Sequence, residues 1–148
     1  MRKVREYTVT EENRDFGKTF ILTEWPADQA ERWATRFLLA LAKGGATLPA
    51  GALLAPSAGL AAVGLSMAAN LNPDEALPLL DELMQCVTFQ PTNTALKPMK
   101  ILPGEGSQIE EVATRVKLKL AVLELHTGFS LPVAPLTSES GAPGEPAA

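Results

Sequence analysis

The chain has 148 residues, 46% hydrophobic and 20% charged, enough apolar content for one self-supporting core and too much for a wholly disordered polymer. Its net charge of −4 and pI near 5.0 remove the electrostatic basis for a nucleic-acid partner. A lone cysteine, Cys86, excludes an intramolecular disulfide and a cysteine-based zinc site, and suits a reducing, cytoplasmic setting.

The charged N-terminus is followed by no apolar signal region, which argues against secretion. Arg5 to Thr10 and Lys18 to Glu24 alternate polar and apolar side chains, with Tyr7 and Val9 on one face of the first and Phe20 and Leu22 on one face of the second. β-Branched and aromatic residues at period two predict strands. The turn formers Asn13, Asp15 and Gly17 lie between them, so the pair reads as a β-hairpin.

Trp25 to Gly45 is the clearest helical pattern. Ala30, Trp33, Ala34, Phe37, Leu38 and Leu41 recur along one face, while Glu31, Arg32, Thr35, Arg36 and Lys43 fall mostly opposite. Pro26 suits the first helical position, and Gly44 and Gly45 supply the stop. The strands are expected to pack on this helix, and Arg32 and Arg36 either to grip an acidic partner or, the simpler reading, to pair with Asp28 and Glu31.

No charged residue occurs from Gly44 to Pro73. Within that run Ser57 to Leu71 can form a helix capped by Ser57, with Leu60, Val63 and Met67 on one stripe. It is shorter than the ~20 apolar residues a membrane span requires. Its small residues fit either close internal packing or a pliable surface for another chain.

Asn72-Pro73-Asp74-Glu75 reads as a helix start with an Asn cap and a capping-box Glu. Ala76, Leu80, Leu83, Met84 and Val87 mark its apolar face, and Pro78 either kinks the helix or begins it. Val87 to Gln90 reads as a short strand ended by Pro91, and Met99 to Leu102 can return beside it as a second short hairpin.

Ser107 with Glu110 forms a second capping box for a helix running to about His126, stopped by Gly128. Its expected stripe is Ile109, Val112, Ala113, Val116, Leu120 and Leu123, with Leu118, Val122 and Leu125 broadening the apolar surface. From Leu131 the composition turns to Pro, Ala, Ser, Gly and Glu without periodicity, which predicts a disordered tail. The expected architecture is α+β: residues 1–130 form one domain, with an N-terminal hairpin on about four helices and a second short hairpin, followed by the tail 131–148.

Chemistry is sparse. A Cys–His pair requires Cys86 and His126, which end separate helices without an orienting acid. The alternative reading is a small buried thiol and a cation favourable at a helix C-terminus. Glu110-Glu111 and Asp81-Glu82 are sequence neighbours that diverge by about 100° around a helix. Arg115, Lys117 and Lys119 also spread around theirs. The residues therefore predict no enzyme, no catalytic group, no cofactor and no metal site.

Four stretches, in order, carry a resemblance. They are Arg14-Asp15-Phe16-Gly17-Lys18 with Phe20; Glu24-Trp25-Pro26-Ala27 with Ala30-Glu31-Arg32-Trp33-Ala34; Leu79-Leu80-Asp81-Glu82-Leu83-Met84 with Cys86-Val87; and Ile109-Glu110-Glu111-Val112 through Thr114-Arg115-Val116-Lys117-Leu118 to Leu125-His126-Thr127-Gly128-Phe129. Together they resemble the tail assembly chaperones of long-tailed bacteriophages.

The resemblance implies a protein of the infected host cytoplasm that binds the tape measure protein and keeps it soluble while the tail tube polymerises. Such a protein is absent from the mature virion, and a frameshifted long form recruits the tail tube protein. A homo-oligomer is compatible with this role, and neither nucleic acid nor membrane is an expected partner. The expected partner surface is Leu60, Val63 and Met67, with Trp33 or Arg36 at its edge. A structural virion protein, such as a tail-completion or head–tail connector subunit, is the rival expectation, because small α+β domains serve both roles.

Overall fold

The computed structural model of the chain describes residues 1–45, 47–48, 51–52, 54 and 71–128. Strands β1 (Val4–Thr8) and β2 (Thr19–Thr23) lead into helix α1 (Ala27–Lys43). Helix α2 (Pro73–Glu82) tightens into a 3₁₀ turn at Leu83–Cys86 and passes straight into β3 (Val87–Gln90). After β4 (Met99–Lys100) and a 3₁₀ turn at Gly104–Gly106, helix α3 (Val112–Thr127) follows. The fold is mixed α+β, with three α-helices and four strands among the described residues. The helix expected at Ser57–Leu71 and the tail 131–148 lie outside the described residues, apart from the buried Leu71.

Both expected hairpins form, and they join. The antiparallel sheet has the order β1-β2-β3-β4, because β2 pairs with β3 in the register Thr19↔Gln90 to Leu22↔Val87. Directly opposed residues share a face. Tyr7, Phe20 and Phe89 therefore line up inward, the two phenylalanine rings 5.6 Å apart, and Leu22 lies beside Val87. The outer face carries Thr8, Thr19, Ile21, Thr88 and Gln90, tied in part by a 3.0 Å contact between the Thr8 and Thr19 hydroxyls.

The α1 stripe buries Trp33, Ala34, Phe37, Leu38 and Leu41, as its periodicity predicts. Pro26 precedes the helix instead of opening it. Its extended ψ of 149° leaves its carbonyl to accept the first helical bond, from Ala30 N–H at 3.0 Å. At the other end Gly44 still donates to Ala40 O, and Gly45, at φ +92°, makes the left-handed turn. Side chains of β2 and β3, Phe20, Leu22 and Val87, share one core cluster with Phe37, Leu38 and Leu41 of α1. Backbone packing joins β1 and β2 to α3, and α1 to α2.

Two faces differ from expectation. In α2 the buried residues are Ala76 and Leu79, continued by Leu83 and Cys86 in the 3₁₀ turn, whereas Leu80 and Met84 are half-buried. A 3₁₀ turn stacks side chains at i and i+3, which aligns Leu83 with Cys86. Pro78 lies inside α2 on its exposed side. Asn72 caps the helix by accepting Asp74 N–H at 3.0 Å, while the Glu75 carboxylate reaches across to Lys43 instead of closing a capping box.

In α3 the core residues are Thr114, Leu118, Ala121, Val122 and Leu123, and Val112 and Val116 are exposed. Ile109 is buried from the extended segment ahead of the helix. Ser107 caps only locally, accepting Ile109 N–H at 3.2 Å.

The group that receives the N-terminus of α3 is Asp15. This carboxylate is fully buried in the hairpin turn. It accepts Glu110 N–H at 3.0 Å, Glu111 N–H at 2.9 Å and the Lys18 ammonium at 2.9 Å. Burial pushes its pKa up, but Lys18 and the two backbone donors outweigh that and hold it at about 2, as an anion at a helix N-terminus should be. The buried Thr114 hydroxyl adds its dipole without a complete hydrogen bond. Lys18 also donates to Gln108 O at 2.8 Å, and Arg14 binds Glu111 at 2.8 Å and Glu110 O at 2.9 Å.

The outer edge of β4 is closed by a side chain. The Gln108 amide accepts Leu102 N–H at 2.9 Å and donates to Lys100 O at 3.1 Å, taking the two backbone groups that an added strand would use.

Asp15 carries the first prediction. Its folded pKa lies below the ~3.9 of an unfolded aspartate, so its contribution is present above about pH 4 and is lost as pH falls toward 2. Asp15→Asn keeps the shape and should remove about 2 kcal/mol at pH 7, with the gap to wild type closing by pH 2–3. Urea unfolding across that range tests it, and a gap that persists at low pH contradicts the role. Gln108→Ala should lose only about 1 kcal/mol but increase concentration-dependent association, read by sedimentation velocity. An unchanged sedimentation profile would mean that the amide does not guard the edge.

Candidate partner surface

Of the five residues expected at the partner surface, Trp33 and Arg36 are described, and Leu60, Val63 and Met67 lie outside the described residues. Trp33 turns inward and is only 3% exposed. Its indole donates to Leu79 O at 2.8 Å and stacks on Phe37 with ring centres 5.3 Å apart. It anchors α1 to α2 and offers no outward face. Arg36 does point outward, but its pairing differs from expectation. Its guanidinium forks onto Glu82 of α2, with one bond at 2.8 Å, and not onto Asp28 or Glu31. That hydrogen-bonded pair raises the Arg36 pKa and lowers that of Glu82.

Lys43 pairs with Glu75 two helical turns further along α1, so α1 and α2 run antiparallel between two ionic bridges about 10 Å apart. Exposed pairs of this kind contribute about 0–1 kcal/mol each, and their clearer effect is to fix the register of the two helices. Between the bridges lies an open groove of about 450 Å³, lined by Leu39 and Ala40 on one wall and Pro78 and Leu79 on the other. Leu39 is 50% exposed and Leu77, beside Pro78, is 59% exposed. Sequence reading missed this groove. Leu39 lies off the apolar stripe that periodicity selects, and a large apolar residue on the polar side is the available signal.

Cys86 and His126 come to a common place, the backbone N–H of Trp25, but not as a catalytic pair. That N–H donates to His126 Nε2 at 2.9 Å. Nε2 must therefore be the unprotonated nitrogen, and Nδ1 carries the proton toward Val122 O at 2.8 Å. His126 is therefore a structural link between the Trp25 backbone and the last turns of α3. Its ring also packs 5.3 Å from the ring of Trp25, which lies 5.9 Å from that of Trp33. Cys86 is buried, and desolvation pushes its thiol up to about 12 despite an opposing contribution from the same Trp25 N–H. A thiol so raised is a poor nucleophile at neutral pH.

The adjacent carboxylates diverge and are ion-paired. Glu110 faces Lys18, Glu111 faces Arg14, Asp81 stands 3.8 Å from Arg115 and 3.6 Å from Lys119, and Glu82 binds Arg36. Among the described residues no three His, Cys, Asp or Glu side chains converge on a common point. No helix among them is long and apolar enough to cross a membrane.

Comparison with protein families, curated proteins and solved structures yields no match to the chain.

The buried thiol supplies a direct check of this packing. Cys86 should resist alkylation by iodoacetamide near pH 8 in the native protein and react fully in denaturant. Rapid native labelling would show that the 3₁₀ turn opens or that the thiol is not buried.

Proposed function

We propose that this chain is the short form of a tail assembly chaperone of a long-tailed bacteriophage. It acts in the host cytoplasm, binding the tape measure protein and keeping it soluble during tail tube polymerisation without entering the virion. The four stretches that resemble this family support the reading. The observation that carries it is the apolar groove between α1 and α2, with Arg36 on its rim. A groove two helical turns long, with apolar walls and charged ends, suits the apolar face of an amphipathic helix, the element expected to repeat along a tape measure protein. The uncharged run that follows Gly44 in sequence carries Leu60, Val63 and Met67, the apolar stripe expected for the partner surface. The tail tube protein is the further partner, reached through an extended form of the chain.

Co-expression with the tape measure protein encoded nearby tests the reading. Wild type should raise its soluble fraction several-fold and co-purify with it. Leu39→Glu should leave the circular dichroism spectrum and unfolding midpoint unchanged, because that side chain is half exposed, and should abolish co-purification. Retained binding by that variant would remove the groove from the proposal. Recovery of this chain from purified virions would overturn the chaperone role in favour of a structural virion protein.

A further inference from the structure

A second cleft lies on the other side of α2. It has a volume of about 620 Å³ and is bounded by Asp81, Met84 and Gln85 from α2 and its 3₁₀ turn, Val87 and Thr88 of β3, Lys100 to Pro103, and Arg115 of α3. Met84, Val87, Ile101 and Leu102 give it an apolar floor and rim, and Leu102 is 49% exposed.

Its electrostatics run against the chain as a whole. The protein carries a net charge of −4, yet Lys100 and Arg115 line this cleft and Lys119 stands beside it, opposed by the single carboxylate of Asp81. Asp81 is shared by Arg115 and Lys119 at 3.8 and 3.6 Å, too long for strong hydrogen-bonded pairs. Lys100 has no ion-pair partner among the described residues. The cleft thus presents positive charge around apolar side chains and suits a segment carrying the opposite charge and its own apolar groups.

The chain contains such a segment. Residues 129–148 hold Leu131, Val133 and Leu136, followed by Glu139 and Glu145, with no Lys, Arg or His. The segment leaves the described fold at Gly128, the stop of α3, and Arg115 lies in the first turn of that helix. Along the helix axis the two are separated by about 20 Å. Eleven residues from Gly128 to Glu139 span roughly 18 Å as a coil and up to about 36 Å when extended. Glu139 can therefore reach Arg115 and Lys100. The tether also keeps the segment at an effective concentration on the order of millimolar, so a weak individual contact is sufficient.

We propose that this cleft is the docking site of the chain's own C-terminal segment, with Val133 and Leu136 against Met84, Ile101 and Leu102 and with Glu139 facing Lys100 and Arg115. Docking here covers the exposed apolar rim and neutralises the surplus positive charge. It is independent of the chaperone reading, because the α1–α2 groove is a separate surface.

Paramagnetic relaxation measured on the full chain tests the proposal. A nitroxide attached to Ser138→Cys labels that site selectively, since Cys86 is buried. Amide signals of Ile101, Leu102 and Arg115 should lose at least half their intensity, and Glu139→Gln with Glu145→Gln, or about 0.5 M salt, should restore them. Lys100→Glu should restore them as well, with the remaining spectrum reporting that the fold is intact. Broadening confined to the C-terminal turn of α3, or unchanged by the charge variants and by salt, would overturn the proposal. Protection of these amides only after a separate acidic peptide is added would assign the cleft to another chain and likewise overturn it.

Discussion

The Asp15 carboxylate accepts the backbone N–H groups of Glu110 and Glu111 across a sequence separation of 95 residues or more, and takes the Lys18 ammonium as its counterion. Through these bonds the hairpin turn becomes the N-terminal cap of α3, which has no side-chain cap of its own. The position of α3 then determines much else. It covers β1 and β2, contributes Leu118, Val122 and Leu123 to the core, and delivers His126 to the start of α1. An unpaired carboxylate at this depth would be strongly unfavourable, so the turn, the helix entry and Lys18 are mutually dependent.

The other end of α3 is fastened by an imidazole. His126 accepts the Trp25 backbone N–H with one nitrogen and donates to Val122 O with the other, so a single ring connects the strand-to-helix junction to the last turns of α3. Trp25, Trp33 and Phe37 continue the aromatic packing along α1 toward α2, where the Trp33 indole is bonded to Leu79 O. The helices are thus held by a few directional bonds set into an otherwise apolar core, while the surface pairs at Arg36 and Lys43 fix the register of α1 against α2.

The parts of the fold legible in the sequence are those in which one face is apolar and the other charged. The α1 stripe qualifies, as do β2 and the cap at Asn72. In α3 apolar residues occur all round, so periodicity selects Val112 and Val116, whereas the structure buries Leu118 and Val122. The joining of two hairpins into one sheet depends on β2 pairing with β3, and no local pattern encodes a partner that distant. Asp15 read as a turn former because an aspartate in a turn needs no further explanation; its buried role depends on donors that arrive from the far end of the chain. At the candidate surface, Trp33 fell on the buried stripe and could not also face a partner, while Arg36 was correctly placed outward with the wrong counterion. The groove itself arises from two helices that are not neighbours in sequence.

The amide of Gln108 has a consequence for how this sheet could join others. With Lys100 O and Leu102 N–H already engaged, the sheet cannot be lengthened at β4, and β1 is the one outer strand left with an unguarded side among the described residues. A sheet open on one side behaves like a monofunctional monomer in polymer chemistry. Antiparallel joining of β1 to a second copy would be isologous, would consume both open sides at once, and would end there. Strand addition at this sheet would therefore be self-terminating at two copies.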